Sequence, residues 1–446
     1  MEQQQRRTNG ASFIRRVVLA LREFPVRIAA YVKAKRRARR KSEKLSQHAV
    51  RLALKPEHVQ ELRAAWPECV GAMRDAVAEP ALMESYSERE RALIHRIQHE
   101  TETANRNNVT RTEAYRAFYF RCPELHWALL AHMVSRNGGW NMTDLQGDLL
   151  PRLLDRSYRK QAFLLLERAN ALIFQDAYPQ LLLYEASRKE GRELFGLLPA
   201  FGVSAFMRPV WSQFWRRRDS AVLTTALIVN EQHVIEEPIV QSRYFKEHVL
   251  HKPSFLAQAP LQTNAVLMPY GASSEGAMKL AGLVLENFRD MNERIEFGKR
   301  LYAILFGIPD VKKGVLAFVR AVPHTGSRAD YAPHLFSKQL RSSSSRSYSE
   351  RLEGCRLKRG ARRLSSPQLT EAWQDVPIEI GSRTDWFLEK EAEAVNAVET
   401  YFKELPLPDV FEITEEHCSG LNKIELGVLA AQRFKSAAAA VQQKRR

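Results

Sequence analysis

Arg156-Ser-Tyr-Arg-Lys-Gln-Ala-Phe-Leu-Leu-Leu-Glu-Arg-Ala-Asn-Ala-Leu-Ile-Phe-Gln-Asp-Ala-Tyr178 is the longest continuous helical pattern in the chain. Phe163, Leu164, Leu166, Leu172, Ile173 and Phe174 recur at the spacing that gives an α-helix one apolar face. Pro179 has no backbone N–H, so it is expected to close this helix, and Leu181-Leu-Leu-Tyr184 begins another. Upstream, Pro123 starts a segment with Leu125, Trp127, Leu129, Leu130, Met133 and Val134, which Gly138-Gly139 is expected to stop. Thr143 or Asp144 would cap the next helix, through Leu145, Leu149, Leu150, Leu153 and Leu154. Further out, Lys55-Pro56 can open a helix, and Ser87-Glu88 opens a run through Leu93, Ile94 and Ile97. Thr110-Arg-Thr-Glu113 reads as a capping box before Tyr115, Phe118 and Tyr119.

Downstream, helices are expected near 200–215, 275–290, 293–307, 311–320, 385–404 and 421–440. Strand signals are thin. Val376-Pro-Ile-Glu-Ile380 is the best short candidate, and Ala221 to Val229 is partly β-branched yet fits a buried helix. The expected fold class is all-α, a multi-helix bundle with a basic N-terminal helical arm and a flexible Ser/Arg insertion.

With 446 residues, 45% of them hydrophobic, the chain can bury a sizeable core. This composition excludes a collagen-like, disulfide-framework or wholly disordered protein. The net charge of +17 is uneven. Residues 1–60 hold 16 Lys/Arg against 4 Asp/Glu, and residues 338–363 hold 9 against 2, which leaves −2 on the remainder. The implied division is a basic amphipathic arm over 1–50, a helical body over 51–337, a flexible Ser/Arg-rich linker over 338–366 and a C-terminal helical segment over 367–446.

The densest basic run places Lys33, Lys35, Arg36, Arg37, Arg39, Arg40 and Lys41 within nine residues. Such a run is either a solvated arm or a contact for an anionic surface, whether lipid headgroups or nucleic-acid backbone. Before it, Phe13, Val17, Leu21, Phe24, Ile28 and Tyr31 recur at helical spacing, opposite Arg15, Arg16, Arg22, Arg27 and Lys33, with Pro25 a kink or break. That stripe either enters a membrane interface or docks on the protein's own core. Charges interrupt the stripe, so it is not read as a signal peptide. The longest uncharged run, Pro253 to Ser274, is too polar for a spanning helix. Cys69, Cys122, Cys355 and Cys418 are far apart and form no CxxC, which suggests a reduced, cytoplasmic setting.

No P-loop, dinucleotide fingerprint, HExxH or GxSxG occurs. No cofactor or metal is expected. His95 and His99 share a helix face, but two ligands do not make a site. Two polar stretches carry more interest, Glu102 to Thr110 and Ser135 to Asp144. Counting antiparallel helices brings both to one end of the bundle, together with Gln175, Asp176 and Tyr178. Asn105, Arg106, Asn107, Arg136, Asn137, Trp140, Asn141 and Asp176 are therefore candidates for a pocket that takes a carboxylate or phosphate on its arginines. The alternative is a mutually satisfied hydrogen-bond network that staples helix ends.

The segments His126-Trp-Ala-Leu-Leu-Ala-His-Met-Val-Ser-Arg-Asn-Gly-Gly-Trp-Asn-Met-Thr-Asp-Leu145 and Leu172-Ile-Phe-Gln-Asp-Ala-Tyr-Pro-Gln-Leu-Leu-Leu-Tyr184 carry a resemblance. They resemble the YppC-like family of unknown function from Gram-positive, spore-forming bacteria, over about residues 85–330. The resemblance implies a bacterial intracellular protein and brings no activity or catalytic residues with it. The basic arm and the Ser/Arg insertion fall outside that span and read as additions. Two functions from different classes fit: a non-enzymatic adaptor held at an anionic surface by its basic segments, which becomes membrane-peripheral if the N-terminal stripe inserts, or a ligand-binding protein or enzyme using the Asn/Arg-rich end.

Overall fold

A computed structural model describes residues 33–78, 85–256, 264–272, 277–341, 347–378, 385–389 and 398–445. The stripe from Phe13 to Tyr31, residues 342–346, the Glu379-Ile380 end of the candidate strand and residues 390–397 of the expected 385–404 helix lie outside these residues.

The expectation of a mostly helical protein holds. A basic helix α1 spans 33–46. It is followed by α2 (Pro56–Ala78), α3 (Glu88–Ala104), α4 (Asn108–Arg121), α5 (His126–Asp144), the single turn α6 (Leu150–Leu153), α7 (Arg156–Glu190), α8 (Met207–Arg217) and α9 (Ser220–Ile235). Later come α10 (Met291–Gly307), α11 (Pro309–Ala321) and the long C-terminal α12 (Thr414–Arg445). Pro56 starts α2, and Ser87 caps α3 in a box with Glu90. The α4 box sits three residues earlier than its sequence signature, with Asn107 as the cap and Thr110 as its partner. Among the described residues, no helix is long and apolar enough to cross a membrane.

Two expected helix breaks do not occur. Helix α5 runs straight through Gly138-Gly139. These glycines provide close approach: a Cβ on Gly139 would stand 2.4 Å from Asn108 Oδ1 and 2.6 Å from His324 Nε2. Helix α7 runs through Pro179 for 35 residues. Its second half, from Leu181 to Tyr184, is buried, and that packing outweighs the one backbone hydrogen bond a proline removes.

The helix expected over 275–290 is instead a strand. β1 (Ala265–Ala272) and β2 (Met278–Val284) form an antiparallel hairpin with a bulge between Pro269 and Gly271. Residues 411–413 extend it, with Gly282 N–H donating to Phe411 O and Ile413 N–H donating to Leu280 O. Tight contacts dictate the glycines here. A Cβ on Gly282 would lie 1.9 Å from Val266 O, and one on Gly314 of α11 would lie 1.6 Å from Tyr270 O.

The described parts of the Ser/Arg segment do not behave as a free linker. Short strands β3 (Phe336–Ser337) and β6 (Leu364–Ser365) pair in parallel, and β4 (Leu352–Glu353) and β5 (Arg356–Leu357) form a tight hairpin. Glu425 of α12 accepts from Tyr348 OH and from the Arg351 and Leu352 backbone N–H groups. Asp148 pairs with Arg351 and accepts from Ser365 N–H. Cys355 and Cys418 are joined by a disulfide across 63 residues, with Cα atoms 5.1 Å apart. The spacing of the cysteines, which suggested a reduced setting, did not point to this pair: packing of the hairpin on α12 brings together residues far apart in sequence. Cys69 and Cys122 are free.

Candidate functional site

The eight residues proposed for a pocket are distributed over three places. Asn105 ends α3 and donates to Ala171 O and Gln175 Oε1 of α7, while its own oxygens accept from the buried Arg111. Beside it, Asn107 donates to Asp375 Oδ1 at 2.8 Å, and the exposed Arg106 pairs with the same carboxylate at 3.2 Å. Asp176 lies deeper, where it accepts from Gln180 and Asn230. Arg136, Asn137, Trp140 and Asn141 belong to α5, not to a loop, and turn into the core. Asn137 bonds both N–H and C=O of Leu267, so its amide acts as an extra partner for β1.

The α5 residues meet a segment the sequence reading did not single out, Val322-Pro-His-Thr-Gly-Ser-Arg-Ala-Asp-Tyr331. Arg136, with no exposed surface, donates to Val322 O at 2.9 Å and Pro323 O at 3.3 Å, and Asp330 lies 3.8 Å away. Its guanidinium also covers the Phe318 ring at 4.5 Å. Burial pushes its pKa down to about 10, against the pull of Asp330, so it remains a cation at neutral pH. Asp330 also accepts from Thr325 and pairs with Lys338 at 3.1 Å.

His324 stands 2.9 Å from Asn108 Oδ1, and its Nδ1 faces the Gly326 N–H. Those partners fix the proton on Nε2. His132 is bonded through Nδ1 to Thr112 O, which places its proton there. Burial, with the nearby Arg136 charge, pushes His132 down to about 3 and His324 well below its ordinary value. Arg328 binds both oxygens of Asp144, along with Asn141 and the Tyr331 hydroxyl, and Tyr331 reaches His417 of α12 at 3.0 Å. Burial opposes the charge on Arg328, but Asp144 and Tyr331 more than offset it and raise its pKa.

This polar centre ties α4, α5, the 322–331 segment and α12 together. Its serines are already hydrogen-bonded: Ser327 donates to Ser366 O, and Ser135 bonds the Thr112 hydroxyl and accepts from the Asn108 amide. One adjoining cleft, between Asn107, Glu167, Trp373 and Asp375, admits about 10 Å³, and another, between Asp144, Asp148, Ser365 and Leu421, about 30 Å³. Each has room for about one water molecule. The signal for this centre was present in the sequence as a run of His, Thr, Ser, Arg and Asp directly after an apolar helix, but it matches no catalytic spacing.

The second polar region is α1. Its inner face is buried at Ala38 and Ser42, and the Ser42 hydroxyl accepts from the Phe411 and Glu412 N–H groups. One flank is neutralised: Arg37 pairs with Glu415 at 2.8 Å, and Lys41 pairs with Glu412 and Glu415. Lys35 lies close enough to Glu416 to oppose the upward push of burial on that carboxyl. Arg39 pairs with Glu43 on α1 itself. Lys33, Arg36, Arg40 and Lys44 are exposed and make no ion pair among the described residues. At 3.6 residues per turn these four lie within about 80° of one another, opposite Ala38 and Ser42.

A family model described as "Protein of unknown function (DUF2515)" matches residues 103–415. This chain belongs to the DUF2515 family. It is 39% identical over 326 residues to the uncharacterized protein YppC of Bacillus subtilis (strain 168), covering 73% of this chain and 91% of that protein. No solved structure matches. The DUF2515 match extends well beyond the expected end near 330. Its bounds enclose the Ser/Arg segment as well as most of the helical body. The polar centre from Asn108 to Asp330 lies inside the DUF2515 match, as does Cys355, whereas α1 and Cys418 lie outside it.

Proposed function

We propose that this protein is a non-catalytic helical adaptor that rests on anionic lipid headgroups through the outer stripe of α1. The observation that carries this reading is the sorting of charge on one helix. The acidic residues of 412–416 take up the cations on one flank of α1, and the four opposite Ala38 and Ser42 are left facing outward. Each basic residue held near an anionic membrane contributes about 1 kcal/mol, so four contribute on the order of a thousandfold in partitioning. Lipid is favoured over nucleic acid by the apolar positions Phe13, Val17, Leu21, Phe24 and Ile28 just upstream, which a phosphate backbone has no use for. The ligand-pocket reading has less support, because its eight residues are dispersed and the adjoining clefts hold only a water.

Co-sedimentation with phosphatidylcholine vesicles, with and without phosphatidylglycerol, tests the proposal. Binding is expected only with the anionic lipid, to fall steeply with salt, and to drop by about a thousandfold when Lys33, Arg36, Arg40 and Lys44 are all changed to Gln. Equal sedimentation of that variant would overturn the reading. So would a preference for duplex DNA over the anionic vesicles.

A further inference from the structure

The Cys355–Cys418 disulfide closes a basic loop onto the same end of α12 that holds α1. Cys418 lies three residues after Glu415, the partner of Arg37 and Lys41, so both side chains share one helix face. On the other side of the bond, the β4–β5 hairpin leads into 358–363, where Arg359, Arg362 and Arg363 are exposed. A left-handed Gly360 turns this loop, with Ala361 N–H donating to Lys358 O. The loop is anchored at both ends: Leu352 N–H bonds Glu425, and Leu364 sits in β6. Between those anchors the disulfide fastens it to α12, together with the hydrogen bond from Asn422 to Gly354 O.

We propose that Cys355–Cys418 is a thiol–disulfide exchange site for a cellular dithiol, and that it sets whether Arg359, Arg362 and Arg363 are held beside α1 as a second anionic-surface contact. The coupling to docking rests on the function proposed above; the exchange itself does not. Cys355 is half-buried and Cys418 is almost fully covered, so a reductant thiolate reaches the Cys355 sulfur. The S–S bond breaks as the mixed disulfide forms, and Cys418 leaves as a thiolate that takes a proton from water. The reductant's second thiolate then attacks the mixed disulfide, and Cys355 leaves as a thiolate and is likewise protonated. The products are two protein thiols and the oxidised dithiol, a balanced two-electron exchange.

The test uses the full chain in oxidised form, after dithiothreitol treatment, and as the Cys355→Ser variant, with Cys69→Ser/Cys122→Ser as the control. Two readouts are taken: trypsin cleavage after Arg359, Arg362 and Arg363, and sedimentation with phosphatidylglycerol vesicles. Opening the clasp is expected to speed cleavage at these sites by about tenfold and to weaken vesicle binding by about tenfold or more, with the control unchanged. Cleavage that is insensitive to dithiothreitol, or a bond it does not reduce, overturns the exchange site. Faster cleavage with unchanged vesicle binding overturns the coupling. Loss of the α1 stripe without effect on vesicles would instead refute the docking function and leave the cleavage result standing.

Discussion

Arg136 is the residue whose role changes most between sequence and structure. An arginine among asparagines reads as a ligand fork, yet its guanidinium ends on two backbone carbonyls, a carboxylate and two rings. Removing it leaves the Val322 and Pro323 carbonyls buried without their donor and takes one of two cations from Asp330, which keeps Lys338, so Arg136→Ala is expected to cost about 3 kcal/mol. A denaturant midpoint close to that of the unaltered protein would count against this structural role. Gly139 gives a second check at the same place. Replacing a helical glycine by alanine ordinarily stabilises by up to about 1 kcal/mol, but here the Cβ would press on Asn108 and His324, both in the polar centre. Gly139→Ala should therefore destabilise, by about 1–3 kcal/mol. Gly427 of α12 is the control: a Cβ there would meet Leu153 at ordinary contact distance, and Gly427→Ala should stabilise by about 0.5–1 kcal/mol.

At the scale of elements, local signals placed most helices. Capping chemistry at Ser87 and the proline at Pro56 act through neighbouring backbone groups, so a linear reading finds them. The same reading failed at Gly138-Gly139, at Pro179 and over 275–290. In each case a breaker or an apolar run has two uses, and the choice belongs to whatever packs against it. Glycine ends a helix or admits a neighbour, and here Asn108 and His324 are the neighbours. The run at Met278–Val284 becomes a strand because β1 and residues 411–413 supply its hydrogen-bond partners. Asn107 shows how local the better signals are. Its side chain caps α4, and Asn107→Ala should lower stability by about 1 kcal/mol, read as a shift in the thermal or denaturant midpoint.

For the whole molecule, the buried histidines set the response to acid. Burial pushes His126 down to about 4 and His132 and His417 to about 3, and pushes His324 well below its ordinary value. In the unfolded chain they titrate near pH 6.5. The folded values are the lower ones, so folding excludes protons that the unfolded chain binds. The histidine contribution to stability is therefore intact above about pH 6.5 and falls as pH drops, by about 1.4 kcal/mol per pH unit for each histidine. Glu231 works the other way. Burial raises its carboxyl to about 8, so its contribution is present at low pH and is lost as pH rises from its unfolded value toward 8. Four histidines outweigh it. Urea midpoints should fall between about pH 6.5 and 5, less so in His132→Gln. A flat profile over that range would show that these rings are not held neutral.

The sequence by itself determined the helical class, most helix starts and the concentration of charge in two segments, because each depends on residues within a turn or two of one another. It also carried enough likeness to reach the family. Tertiary structure alone decided which of those charges are left over. Arg37 and Lys41 are neutralised by Glu412 and Glu415 from the far end of the chain, while Lys33, Arg36, Arg40 and Lys44 on the same helix face away from them. It decided the cysteine pair in the same way, by laying the β4–β5 hairpin on α12. Pairing of charges and of thiols depends on distance in space, and the order of residues along a chain does not set that distance until the core has closed.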